Sequence, residues 1–162
     1  MILADTSVWV EYLRAAPPSP SHRESPASPA EALDARIERE QVLTCGPVVA
    51  ELLAGARGPQ RDELAEQLGA QPWIDLKRSD WLTVGQTAAK LRERGQTTPL
   101  IDIQIAVCAV LAEAELWTLD HDYERIAESL DGLRVRMFEQ PRPGGPRVRT
   151  FEQPRPGALW PG

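Results

Sequence analysis

Residues 2–7 read Ile2-Leu3-Ala4-Asp5-Thr6-Ser7. Three apolar residues run without a break into an aspartate. Such a run is the mark of a strand buried on both faces, the kind found in parallel sheets. Thr6 or Ser7 can then cap a helix whose inner face carries Val8, Trp9, Tyr12 and Leu13 at helical spacing. The pattern returns near the other end of the chain. Leu116, Trp117, Thr118 and Leu119 run into Asp120, with Asp122 two residues further on.

Between and beyond these two runs, strands and helices alternate. Residues 41–45 read as a strand, and Gly46-Pro47 opens a helix with proline in its tolerated first turn. That helix carries Val48, Val49, Leu52 and Leu53 and stops near Gly55. A polar helix follows at 60–69 and a short strand at 73–76. Helices are expected at 80–94, ended by Gly95, at 102–114 and at 123–130. Val135, Met137 and Phe138 suggest a last strand. The alternation predicts an α/β fold, a three-layer α/β/α sandwich around a central, mostly parallel sheet.

Two segments fall outside that pattern. Residues 16–30 hold five prolines and four serines and read as a flexible surface insertion. The tail, 139–162, contains most of a direct repeat. Residues 134–145 read RVRMFEQPRPGG and residues 147–158 read RVRTFEQPRPGA, a period of 13 with two differences in twelve. Only one copy can be the final strand, so the domain is expected to span 1–138 with a disordered extension behind it.

Composition narrows the chemistry. At 162 residues, 42% hydrophobic and 26% charged, the chain has the make-up of an ordinary globular protein. No apolar run approaches the roughly 18 residues that a membrane span needs, and no secretory signal opens the chain, so a cytoplasmic location is expected. Cys45 and Cys108 lie in apolar segments and read as small buried hydrophobes. His22 and His121 are too few and too scattered for a zinc site, so any metal must be held by oxygen. The net charge is −6, but residues 134–162 carry six Arg against two Glu, which leaves the body near −10.

Several of those acids sit where burial is costly. Asp5 and Asp120 each end an apolar run; if the two strands are parallel neighbours, both fall at one edge of the sheet, where open α/β folds bind ligands. Glu51 lies in Val-Val-Ala-Glu-Leu-Leu-Ala-Gly, and Asp102 opens the most apolar helix of the chain. Each has an ordinary alternative: a helix cap, a solvent-facing stripe, or a partner for a helix dipole. Together with Asp122 they would repel one another in one crevice unless a divalent cation neutralised them. Oxygen ligands alone select Mg²⁺ or Mn²⁺, which serve phosphodiester hydrolysis by activating water.

The set Asp5-Thr6-Ser7, Glu51, Asp102-x-x-Ile105-Ala106 and Thr118-x-Asp120-x-Asp122-Tyr123 resembles the PIN domain, and more closely the VapC toxins of bacterial toxin–antitoxin pairs. The likeness is carried by residues 1–14, 45–55 and 99–126. It implies a Mg²⁺- or Mn²⁺-dependent endoribonuclease that hydrolyses RNA phosphodiesters with a metal-activated water. It further implies Asp5, Asp102 and Asp120 as metal ligands, and Glu51 and Asp122 as further members of the catalytic cluster. Thr6, Ser7 and Thr118 would support them by hydrogen bonds. A homodimer and a VapB-type antitoxin laid over the groove are implied as partners. Arg14, Arg57, Arg92 and Arg94 are candidates for substrate phosphates. The insertion at 16–30 and the duplicated tail depart from the family pattern. Two rival readings remain open. A haloacid-dehalogenase-like phosphatase also places an Asp after its first strand, but it wants a second Asp where Ser7 stands. An inert module of the same fold could use the groove only for binding.

Overall fold

The computed structural model describes residues 1–15 and 28–139. Most of the segment 16–30 and nearly all of the tail therefore lie outside the described residues.

The opening run is strand β1, Ile2–Ala4, and all three residues are buried. It lies in the middle of a five-stranded sheet of order β3-β2-β1-β4-β5. The other strands are β2 (Val42–Cys45), β3 (Trp73–Ile74), β4 (Glu115–Thr118) and β5 (Arg134–Met137). Every pairing is parallel. The register sets Ile2 beside Glu115, Leu3 beside Leu116 and Ala4 beside Trp117. The two apolar runs are thus adjacent, and both end at the same edge of the sheet. Their side chains fill the core because each is covered on both faces. Burying a Leu or Ile in this way contributes about 1.5–3 kcal/mol.

The chain moves from β1 to β2 on one side and later returns to place β4 on the other. The order of strands therefore reverses at β1. The crevice beyond the carboxyl ends of β1 and β4 is the topological switch point, the usual ligand site of such sheets.

Seven helices complete the described fold: α1 (Thr6–Arg14), α2 (Pro29–Ile37), α3 (Gly46–Gly55), α4 (Pro59–Gly69), α5 (Asp80–Glu93), α6 (Leu100–Leu111) and α7 (Asp122–Ala127). α1 packs on α2 and α3, while α6 packs on α3, α5 and α7. The result is the expected three-layer sandwich. α6 is apolar nearly all round and buries Ile103, Ile105, Ala106, Val107, Cys108 and Ala109. Cys45 and Cys108 are free thiols and both are buried. No helix among the described residues is long and apolar enough to cross a membrane.

Several boundaries differ from the sequence reading. α2 starts at Pro29, inside the segment read as loop. Ser28 accepts from the Glu31 amide at 3.2 Å, and Glu31 accepts from the Ser28 amide at 2.9 Å. This capping box overrides the proline-rich composition around it, and Ala30 is buried. α6 stops at Leu111 because Glu113 turns left-handed, with φ of 50°. α7 is one residue short of two turns. α5 ends as expected, at Gly95 with φ of 72°, a conformation glycine adopts without steric cost.

Candidate metal centre

The site grows from the ends of β1 and β4. Asp5 follows β1 in extended conformation and caps α1, its Oδ1 accepting from the Val8 amide at 3.1 Å. The same oxygen accepts from Ser7 Oγ at 2.6 Å, and Oδ2 accepts from Thr118 Oγ1 at 2.8 Å. The capping alternative is therefore real, but it does not exhaust the residue. A carboxylate offers about four lone-pair positions. At Asp5 the Ser7 and Thr118 hydroxyls and the Val8 amide donate to it, and the Ser7 amide also favours its charged form. Asp5 is only 4% exposed. Burial pushes its carboxyl above the ordinary range, against the lowering effect of the Ser7, Thr118 and Val8 hydrogen bonds.

Ser7 and Thr118 work in both directions. Ser7 Oγ also accepts from the Leu119 amide, and Thr118 Oγ1 from the Asp120 amide, each at 2.9 Å. The two hydroxyls thus staple the end of β1 to the turn after β4. That turn continues with Asp120 Oδ1 accepting from the Asp122 amide at 2.9 Å. Thr118→Val keeps the shape but orphans Asp5 Oδ2 and the Asp120 amide. We expect a loss of about 1–3 kcal/mol in chemical denaturation and a roughly 10–100-fold fall in any metal-dependent activity.

Asp102 comes from the first turn of α6 and is half-buried. One carboxylate oxygen from each of Asp102, Asp120 and Asp122 lies within 4.8 Å of the others. The expected ligand set named Asp5 with Asp102 and Asp120; the three carboxylates that meet here are those of Asp102, Asp120 and Asp122. Asp122 Oδ1 is held by Arg125, three residues on in α7. That arginine was missed in the sequence, although the spacing is that of a helical ion pair. Glu51 projects from α3, and its Oε2 accepts from Thr6 Oγ1 at 2.5 Å.

Electrostatics ties the acids together. The Asp102 carboxyl is pushed up to about 6, first by burial, then by the charges of Asp120, Glu51 and Asp5. Negative charge in the crevice is therefore poorly balanced by the protein itself. Tyr123, almost wholly buried, has its ionisation pushed up by burial and by Asp5, Asp102 and Glu51. It is a neutral phenol that feels the charge of the cluster, legible in the sequence only as the residue after Asp122. The donors are all oxygen, and charge is in excess, so the residues present fit a hard divalent cation.

Two of the four arginines named from sequence have partners outside the acid cluster. Arg14 pairs with Glu11. Arg94 binds the Glu128 carbonyl at 3.0 Å and Ser129 Oγ at 2.9 Å, beyond the far end of α7 from Asp122. Arg57 and Arg92 are exposed.

Comparison with known proteins agrees with this picture. None of the curated proteins matches the chain. Among solved structures, VapBC2 from Rickettsia felis, bound to a DNA fragment from its promoter, superposes with a TM-score of 0.63 at 19% identity, covering 86% of this chain and 100% of that one. VapBC-1 from nontypeable Haemophilus influenzae gives 0.61 at 19%, covering 85% and 98%. VapBC-5 of Mycobacterium tuberculosis, a member of the VapBC family of toxin–antitoxin systems, gives 0.56 at 17%, covering 85% and 98%. At such identities the likeness concerns the fold. The family model of the PIN domain matches residues 2–129, most of the chain. With the acids at the switch point, that match makes the chain a member of the PIN domain family.

Proposed function

We propose that this protein is a Mg²⁺- or Mn²⁺-dependent endoribonuclease and the toxin of a VapBC-type pair, acting in the cytoplasm. PIN domains are generally nucleases. The observation that carries the reading is the meeting of Asp102, Asp120 and Asp122 within 4.8 Å at the switch point. Asp102 and Asp120 would hold the cation. Asp122 would join them through the oxygen not engaged by Arg125, and Asp5 would stand behind them at the end of β1. Glu51, carried by α3, completes the acidic wall. A bound cation would activate water and neutralise charge on the phosphate oxygens. The chain's own part is to hold these carboxylates in fixed orientation, through Thr6, Ser7 and Thr118. The solved neighbours from VapBC systems support a VapB-type antitoxin as partner, and the family likeness supports a homodimer.

The test is incubation of the purified protein with total RNA and with single-stranded DNA in Mg²⁺ or Mn²⁺, followed by analysis of the product ends. Internal cuts in RNA leaving 5′-phosphates and 3′-hydroxyls are expected. A phospho-aspartate on Asp5 with intact RNA would instead establish the phosphatase reading.

Metal binding has a pH signature of its own. The Asp102 carboxyl titrates near 6 in the folded chain, against 3.8 as its ordinary value. An acid raised by folding binds its proton more tightly in the folded state. The part of metal-free stability that Asp102 contributes therefore falls as pH rises from about 4 to 6 and then levels off. A cation competes with that proton. The rise in melting temperature on adding Mn²⁺ should accordingly be small at pH 5 and larger at pH 7.5, as read by differential scanning calorimetry. An equal rise at both would exclude Asp102 as a ligand.

A further inference from the structure

An acidic centre that cuts RNA has to admit an anion. Every phosphate of the substrate carries negative charge, and the crevice already holds Asp5, Glu51, Asp102, Asp120 and Asp122. Together these acids carry more charge than one divalent cation offsets. Among the described residues, Arg125 is the one basic side chain that bonds Asp102, Asp120 or Asp122. The other ion pairs there join Arg14 to Glu11, Arg94 to Glu128 and His121 to Glu124. Arg125 Nη2 donates to Asp122 Oδ1, and an oxygen of Asp122 lies within 4.8 Å of the carboxylates of Asp102 and Asp120.

The ordinary reading is a helical ion pair. Asp122 opens α7 and Arg125 lies in its last turn, three residues apart, and such pairs steady a helix slightly. That reading accounts for the contact but not for the rest of the guanidinium. The group offers five N–H donors in a planar fork. No other hydrogen bond or ion pair engages it among the described residues, and the side chain is 48% exposed. The fork is thus tied at one corner to an acid of the centre and open to solvent elsewhere. We propose that Arg125 binds the RNA phosphate at this centre, with Asp122 holding the guanidinium in position. The proposal rests on the nuclease reading and adds to it the residue that receives the substrate.

The chemistry of the group suits that task. A guanidinium meets two phosphate oxygens at once, and it stays charged at any pH at which the protein folds. Asp122 faces both ways: Oδ1 holds Arg125, and the carboxylate also borders Asp102 and Asp120. A phosphate drawn to a cation held by these three acids would therefore meet the guanidinium beside it. A positive charge so close also opposes binding of that cation. The arrangement costs metal affinity, and an anion that joins both charges recovers the loss. A helical ion pair with no further role has neither consequence.

Two binding measurements on the full chain test it, with Arg125→Gln and Arg125→Lys beside the wild type. The affinity for Mn²⁺ alone is read by electron paramagnetic resonance. The affinity for a labelled single-stranded RNA, with Mn²⁺ present, is read by stopped-flow fluorescence anisotropy before cuts accumulate. Arg125→Gln should weaken RNA binding by about 10-fold or more. It should also lower the slope of log affinity against log salt by about 0.7, the share of one phosphate contact on a single strand. Its affinity for Mn²⁺ should be equal to that of the wild type or severalfold tighter. Arg125→Lys keeps the charge without the fork and should recover part of the RNA affinity. Unchanged RNA affinity and salt slope in Arg125→Gln would overturn the proposal. So would a loss of Mn²⁺ affinity matching the loss of RNA affinity, because Arg125 would then act only by holding Asp122. If Arg125→Gln does not fold, Arg125→Lys decides by the same two measurements. A wild type that binds no RNA would sink the nuclease reading and this assignment together, whereas equal binding by wild type and variants sinks the assignment alone.

Discussion

Asp102→Asn should remove RNA cleavage and yet stabilise the metal-free protein at pH 7. The two effects share one cause. The Asp102 carboxylate is disfavoured by burial and by Asp120, Glu51 and Asp5, which is why it titrates near 6. Neutralising it relieves that strain. The full shift would correspond to about 3 kcal/mol, but solvent reaches part of the side chain, so we expect about 1–2 kcal/mol in urea titration at pH 7. The gain should vanish near pH 4, where the wild-type group is itself largely protonated. Activity should fall by at least about 100-fold, the scale on which loss of a preorganised charged group acts. The Mn²⁺-induced rise in melting temperature should be lost with it. A variant both inactive and less stable would mean that Asp102 is structural.

Asp5 differs in the hydrogen bonds it accepts, so the choice of substitution matters. Asp5→Ala removes the cap of α1 and leaves the Val8 amide and the Ser7 and Thr118 hydroxyls without their acceptor. The lost cap alone costs about 1 kcal/mol, and the orphaned buried donors about 1–3 kcal/mol more. Asp5→Asn keeps one oxygen for Val8 and Ser7 and turns an amide toward Thr118, whose hydroxyl already accepts from Asp120. It should cost much less than alanine. Both variants should lose cleavage. Comparing their urea midpoints and initial rates separates the two roles: an Asp5→Asn variant that retains wild-type rate would reduce Asp5 to a helix cap.

Much of the fold could be read from two short runs. Ile2-Leu3-Ala4 and the apolar run at 116–119 are too continuous to be half-exposed strands, so a parallel sheet followed. Their common edge needed only the assumption that they are neighbours, and the register confirms it. Elements stabilised by one local contact were less legible. The capping box of Ser28 and Glu31 starts α2 inside a proline-rich stretch, and composition averages over such a detail. The left-handed turn at Glu113 shortens α6 where hydrophobicity continues.

The five acids were legible as a set because each is costly in an apolar segment. Their division of labour was not. Asp5 spends three hydrogen bonds on holding α1 and β4, while Asp122 lies within 4.8 Å of Asp102 and Asp120. One-dimensional spacing gives the order of the acids along the chain, not which oxygens remain free. The arginines show the same limit. Arg94 looked available for phosphate, but tertiary packing places it against the carbonyl of Glu128.

The central claim is that the carboxylates at the ends of β1 and β4 work through a divalent cation. The most direct measurement is cleavage of a labelled RNA by the wild-type protein, first with Mn²⁺, then with excess EDTA, then with Mn²⁺ restored. Cleavage should stop with chelation and return with the metal, at the same internal sites. Undiminished cleavage in EDTA would contradict the account.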